Sequence, residues 1–365
     1  MELLTRESEW QRGMDMSKKR NSVAVNTVRA LEDIEIKEHD FELAGDKQNV
    51  HIDNTFVNIS FWKDAVKRFR SNKMAVVSLV AILLIILLAV VGPMISGHTY
   101  ASMDTNHTNL PPRIPGLEKL GIFDGSENGR NVYQERGLDD VYYWFGTDTL
   151  GRDLWTRTWA GTRVSLIIAF FAALGDLVIG VTYGMISGYV GGRTDMVMQR
   201  IIEIVNGIPG LVIMTLMVMI MSPGLVTIIV ALLMTGWIGM SRMVRGEALK
   251  LKNEEYILAS KTLGASTGRI ITKDILPNVF GQIIVMAMFS IPGAIFAESF
   301  LAFVGLGLPQ PRPSLGILIS EGYKTLTIHP HMLVIPVLVL AILMLSFNLL
   351  ADGLRDAVDP KMKDK

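Results

Sequence analysis

Two acids stand in otherwise apolar sequence: Asp176 within FAALGDLVIGV and Glu298 within IPGAIFAESFLAF. A carboxylate in such surroundings is costly to bury, so each must face a neighbouring helix or a water path rather than hydrocarbon. Either could serve transport, and either could make a structural hydrogen bond to another helix. Gly264-Ala265-Ser266-Thr267-Gly268 matches G-x-S-x-G, the string that places a serine nucleophile. That chemistry needs a strand before it, a helix after it, and histidine and acid partners. Here a helix precedes, and the six histidines fall in the N-terminal stretch or in connecting loops. His329-Pro330-His331 suggests a metal site, but proline stiffens the spacing and no third ligand is evident, so loop punctuation is the simpler reading. There is no cysteine, which removes disulfides, thiolate catalysis and Cys-ligated zinc. There is no G-x-x-x-x-G-K-[ST] run, so the chain is not expected to bind ATP through a P-loop. Lys+Arg 35 balances Asp+Glu 35, which gives nucleic-acid binding no electrostatic support. The expectation is a non-catalytic chain with no cofactor of its own.

The remaining chemistry is docking. Between two apolar segments lies YILASKTLGASTGRIITKDILP, Tyr256 to Pro277. Tyr256, Ile257, Ala259, Ser260 and Leu263 can share one face of a short helix. Gly264 stands where a helix C-cap needs positive φ, and Ser266 or Thr267 can cap a second short helix that Pro277 stops. Such a helix–turn–helix is too polar to enter lipid and offers a handle to another protein.

The elements that hold this handle are spans. Half of the 365 residues are hydrophobic and the mean hydropathy is positive. Val76 to Val91 is almost uninterruptedly apolar and ends at Gly92-Pro93. Before it, Phe61, Trp62, Val66 and Phe69 can form one face of an interfacial elbow helix, with Lys63, Lys67, Arg68 and Arg70 on the other. Five more spans are expected near Val164–Tyr189, Ile204–Met221, Leu225–Met243, Val279–Gly305 and Met332–Leu350. Six spans put both termini on one side. Arg242 to Lys273 carries seven Lys/Arg, whereas Leu306 to His331 carries only Arg312 and Lys324. Both termini and the handle are therefore expected in the cytoplasm. The chain divides into a polar tail (1–60), an elbow helix with first span and long outward loop (61–163), a five-span core (164–352) holding the 244–278 loop, and a second cytoplasmic tail (353–365). No cleavable signal is visible in the first sixty residues.

Asp176, Gly180, Gly184 and Gly188 recur at four-residue intervals, a small-residue packing face with a carboxylate at one end. Pro292-Gly293 loosens the helix about a turn and a half before Glu298. Met214, Met217 and Met221 fall on one side of a helix, where flexible thioethers could line a pathway or fill core gaps.

The segment FGTDTLGRDLWTRTWAGTRVSL (Phe145 to Leu166) reads from its residues as an amphipathic lead-in, with Thr147 or Asp148 as cap, Leu150, Leu154 and Trp155 on its apolar side, and Trp144, Trp155 and Trp159 suited to an interface. As a motif, GTDxxGRD before a span resembles the permease subunits of peptide and nickel ABC importers, most closely the oligopeptide branch. RFRSNKMAVVSLV, GYVGGRTDMVMQRIIEIVNGIPGLVI and FLAFVGLGLPQPRPSLGILISEG agree with it in order, over about Phe61 to Pro360. The handle resembles the cytoplasmic coupling loop of that family, although its Glu-Ala-Ala start reads Leu258-Ala259-Ser260 here and an apolar position is Asp274.

The resemblance implies an all-α integral membrane protein with the six-helix type I ABC-importer permease fold, in a bacterial cell membrane. It implies ATPase coupling through Tyr256, Ala259, Ser260, Leu263, Gly264, Ala265, Ile275, Leu276 and Pro277. Asp176, Glu298, Met214, Met217 and Met221 are the pathway candidates. The implied partners are a second homologous permease, two ATP-binding subunits that use the ATP, an external binding protein, and peptides it delivers. Dipeptide or nickel cargo remain alternatives. A secondary transporter would also show broken helices and intramembrane acids, but it usually works without a docking handle, and no inverted repeat is apparent.

Overall fold

The computed structural model describes residues 61–358 apart from Ile122 and Asn128. The expected N-terminal tail (1–60) and the last residues, 359–365, lie outside the described residues.

The elbow helix α1 (Phe61–Ser71) leads into α2 (Lys73–Ile95), whose start is fixed by Asn72: its side-chain oxygen accepts from the Ala75 N–H at 3.2 Å. At about 1.5 Å per residue this helix is long enough to cross a bilayer. It continues through Gly92-Pro93 rather than ending there. A proline near the C-terminus removes little, and Gly92 is needed because the Trp159 ring lies 2.7 Å from where a Cβ would stand.

The next helix, α3 (Leu154–Val190), begins ten residues before the expected Val164. Its cap is Asp153, not Thr147 or Asp148: the Asp153 carboxylate accepts from the Trp155 and Thr156 N–H groups, each at 3.2 Å. Leu150 accordingly lies outside the helix. The expected third span is also corrected. Instead of one helix over 204–221 there are two, α4 (Gly192–Asn206) and α5 (Gly210–Met221), bent by 79° at Gly207-Ile208-Pro209. Proline lacks the donor that would continue the ladder and pushes Ile208 out of helical conformation.

Helix α6 (Leu225–Leu251) outlasts its apolar stretch by two turns, and α7 (Glu255–Thr262) follows. Pro277 does not stop the second helix of the handle. One helix, α8 (Thr267–Leu306), runs from the handle through the fifth span and leaves helical geometry only at Gly305, φ 91. Its residues Ile270–Ile275 form a π-helical segment in which the Leu276 N–H donates to the Ile271 carbonyl. This widened turn immediately precedes Pro277, where a donor is missing and the ring needs room. A short α9 (Leu315–Lys324) and α10 (His331–Val358) complete the chain.

Helices α2, α3, α6, α8 and α10 are long and apolar enough to cross a membrane, and the bent α4–α5 pair, counted as one span, brings the number to six. One apolar cluster joins α2, α3, α8 and α10 around Ile82, Trp159, Ile295 and Phe347. Another joins α3, α6, α7 and α8 around Met185, Val244, Ile257 and Ile275. The start of α2 meets the end of α10, as Ala75 packs on Gly353. Connections 96–153 and 307–330 gather at the opposite end, where the first builds a small cluster of Leu110, Tyr133 and Tyr143 beside a two-stranded hairpin, β1 (Ser126–Glu127) with β2 (Arg130–Asn131).

Candidate functional site

The handle is an exposed turn on a buried footing. Helix α7 ends in a Schellman arrangement: Ala265 N–H donates to Ser260 O at 3.1 Å and Gly264 N–H to Lys261 O at 3.0 Å. Gly264 takes φ 82, which a side chain bearing a Cβ adopts only under strain. Ser266 then caps α8, its hydroxyl oxygen accepting from Arg269 N–H at 3.4 Å. Leu263 is 88% exposed, the most exposed large apolar side chain among the described residues. Tyr256, Ala259 and Pro277 are exposed, and Ser260, Ala265 and Leu276 half-buried. Ile275, one of the nine coupling residues expected from sequence, is fully buried with Ile257 and Ile270. Its place is in the footing, and Ile257 likewise does not share the exposed face with Tyr256.

Beside the handle, α4 is tied to α6. Arg245 Nε and Nη2 donate to the two Asp195 oxygens, each at 2.6 Å. Ser187 Oγ on α3 donates to Asp195 at 2.5 Å and accepts from Gln199 Nε2 at 3.0 Å. The bent span is thereby fixed to the helix that feeds the handle.

The glycine register of α3 meets α6 along its length. A Cβ at Gly180 would stand 2.6 Å from Met240 Cβ, one at Gly184 2.5 Å from the Ser241 carbonyl oxygen, and one at Gly188 2.7 Å from the Arg245 carbonyl oxygen. Asp176 continues this row, 7% exposed, with its carboxylate packed on Gly236 of α6. Its Oδ1 has no hydrogen-bond partner among the described residues. Glu298 is fully buried and stitches three helices together: Ser165 Oγ of α3 donates to its Oε2 at 2.9 Å, and Leu315 N–H at the start of α9 donates to Ser165 Oγ at 3.3 Å. Of the methionines, Met214 packs on the apolar cluster of α3, α6 and α8, whereas Met221 is exposed.

At the other end, Asp148 lies under two buried arginines. Its Oδ1 accepts from the N–H groups of Leu150 and Arg152 at 2.8 and 3.0 Å; its Oδ2 accepts from Arg152 Nε at 2.6 Å and from Arg157 Nη1. Glu321 on α9 takes Arg157 Nη1 at 2.7 Å and Arg152 Nη2 at 3.3 Å. Two cations and two anions thus close one neutral cluster, with both arginines at most 1% exposed. Thr147 Oγ1 accepts from Leu110 N–H at 2.8 Å and donates to the His107 carbonyl at 2.5 Å. Burial raises the Tyr143 phenol to about 12, so it stays protonated beside His107, 2.8 Å away. His329 Nδ1 lies 2.9 Å from Glu127, and no group of three His, Asp or Glu among the described residues is placed to hold a metal ion.

The geometry combines a surface handle, a body of five long apolar helices and a bent helix pair. The family model for the inner membrane component of binding-protein-dependent transport systems matches residues 180–364, and that for the N-terminal TM domain of oligopeptide transport permease C matches residues 60–112. The chain belongs to the inner membrane components of binding-protein-dependent transport systems. It is 44% identical over 306 residues to the oligopeptide transport system permease protein OppC of Bacillus subtilis (strain 168), spanning 84% of this chain and 92% of that one. The dipeptide transport system permease protein DppC of the same organism is 45% identical over 307 residues, 84% and 88% of the two chains. DppC of Lactococcus lactis subsp. cremoris (strain MG1363) is 43% identical over 316 residues, 84% and 92%. A looser likeness, TM-score 0.46 at 21% identity over 55% of this chain and 94% of the other, is to a chain of the MetNI methionine ABC transporter.

The permease thus has the all-α, multi-pass fold that its motifs imply. Its GTDxxGRD motif is a folding device: Asp148 neutralises Arg152 and Arg157, and Asp153 caps α3. Sequence reasoning missed this cluster because Glu321, which closes it, lies 164 residues from Arg157. It also missed the Asp195–Arg245 pair. The available signal was an acid just past a span and an arginine near the end of another, each without a local partner.

Proposed function

We propose that this permease forms half of the translocation pathway of an ATP-driven importer for peptides of varied sequence. A second, homologous permease completes the pathway. Two ATP-binding subunits supply the ATP hydrolysis, one docking on the Tyr256–Pro277 handle, and an external binding protein delivers the cargo. On this reading the handle end, with both termini, faces the cytoplasm, and the end gathering 96–153 and 307–330 faces outward. The peptide class follows from the relatives' names, which include oligopeptide and dipeptide systems at near-equal identity.

The observation that carries the reading is the continuity of the handle with the membrane. Leu263 projects from a turn that no described residue covers, while the helix beginning three residues after Gly264 continues through the fifth span as far as Gly305. A push at Leu263 therefore reaches the span through helix backbone and the buried Ile257–Ile270–Ile275 footing, a rigid element that both ends can bias. Gly264→Val tests it. Valine at this φ is strained by about 1–3 kcal/mol, which the exposed turn relieves by rearranging while the footing holds. The variant should insert and assemble, but lose substrate-stimulated ATP hydrolysis in the reconstituted complex. Normal stimulation with normal assembly would remove the turn from the mechanism.

A further inference from the structure

Where four segments meet at the outward end, the permease has a cavity of about 200 Å³. The segment after α2 contributes Tyr100, α3 contributes Arg163 and Val164, α6 begins there with Leu225, and the α8–α9 connection adds Leu308 and Arg312. Both arginines are exposed, and neither side chain makes a hydrogen bond or ion pair with any described residue. The contrast with Arg152 and Arg157, which precede Arg163 in the chain and are fully engaged in the Asp148–Glu321 cluster, is direct. Arg163 is followed by twelve uncharged residues before Asp176, and Arg312 is one of two basic residues in the whole 306–331 connection. Unpaired cations on an apolar span and on the side that disfavours positive charge are costly to place without a function.

We propose that Arg163 and Arg312 form a subsite for the C-terminal carboxylate of the incoming peptide. The inference rests on the peptide reading above. A guanidinium offers a planar fork of donors that matches a carboxylate, and Tyr100 adds a hydroxyl donor. Val164, Leu225 and Leu308 supply an apolar wall for the terminal side chain. The cavity is smaller than the roughly 300–1,000 Å³ of sites that enclose a whole ligand, so it suits a terminus and not an entire peptide. A carboxylate is the one charged group that every linear peptide presents at this end whatever its sequence. Its recognition is compatible with cargo of varied side chains.

The test uses the complete reconstituted transporter with one binding protein and one peptide, as free acid and as C-terminal amide, both held by that binding protein. Wild type should take up the acid about tenfold faster than the amide, in line with a charge-assisted hydrogen bond. The double variant Arg163→Gln/Arg312→Gln should lose that tenfold preference through slower acid uptake, with amide uptake and basal ATP hydrolysis unchanged. An unchanged acid-to-amide ratio overturns the subsite, as does an equal loss for both peptides. Retention of anionic phospholipid by wild type but not by the variant in native mass spectrometry, with the ratio unchanged, would give the arginines to lipid headgroups and overturn it too. If wild type takes up neither peptide, the peptide reading falls and the subsite with it.

Discussion

Of the α3 glycines in this register, Gly184 comes closest to the backbone of α6, and replacing it with alanine gives a quantitative test of that interface. A Cβ there would lie 2.5 Å from the Ser241 carbonyl oxygen, 2.9 Å from Val244 Cβ and 3.0 Å from the Arg245 nitrogen. Optimal heavy-atom separations are about 3.5–4.0 Å, so the helices must part by roughly 1 Å. Overpacking costs about 1–3 kcal/mol, and two of the three atoms are backbone that cannot rotate away, which places Gly184→Ala near 3. The gain in helix propensity returns about 1 kcal/mol, leaving a net destabilisation of about 2 kcal/mol. Gly239→Ala on α6 is the matched control: a Cβ there meets nothing within 4 Å, so only the propensity gain of about 1 kcal/mol remains. The same chemical change on the same helix pair should thus differ by about 3 kcal/mol. Reversible unfolding of the purified permease in mixed micelles measures it. If the two variants agree within about 0.5 kcal/mol, the close approach of α3 and α6 is not what the register of Gly180, Gly184 and Gly188 provides.

Two other substitutions separate structural from transport roles. Asp176→Asn keeps the volume packed on Gly236, so it should cost less than about 1.5 kcal/mol and leave uptake and assembly intact; a large uptake loss in an assembled variant would move Asp176 into the pathway. Asp148→Asn leaves two buried arginines facing Glu321 alone and should cost about 3–5 kcal/mol, read as reduced folded yield. Glu321→Gln, at a position whose side chain is 27% exposed, should cost clearly less in the same measurement.

What the sequence made legible is local. The turn at Gly264, the cap at Ser266 or Thr267 (Ser266 in the structure) and the register from Asp176 to Gly188 each depend on residues within a few turns. The spans were legible as apolar runs, but helix ends were not, because hydropathy marks where lipid ends and not where hydrogen bonding ends. Helix α6 therefore continues over Arg245, Lys250 and Leu251, and α3 starts ten residues early on the Asp153 cap. The bend at Gly207-Ile208-Pro209 falls inside the expected 204–221 span, because the apolar run of Ile208 to Met221 reads as a single helix even though glycine and proline are both breakers. Pro277 misled in the other direction, since a π-helical turn accommodates it inside a continuous helix. The Asp148 cluster and the Asp195–Arg245 pair join residues far apart in the chain, and periodicity carries no information about such partners.

The central claim is that the handle at Leu263 meets an ATP-binding subunit, and the cysteine-free chain allows that contact to be read directly. A single thiol placed by Leu263→Cys, in the assembled transporter, is treated with a short thiol-to-amine crosslinker. Met103→Cys, at a residue 55% exposed at the other end of the molecule, serves as the comparison. The account predicts a crosslink to the ATP-binding subunit from position 263 and none from 103. A transporter that hydrolyses ATP normally yet gives no such crosslink from 263, or gives it from 103, would contradict the coupling role and the orientation together.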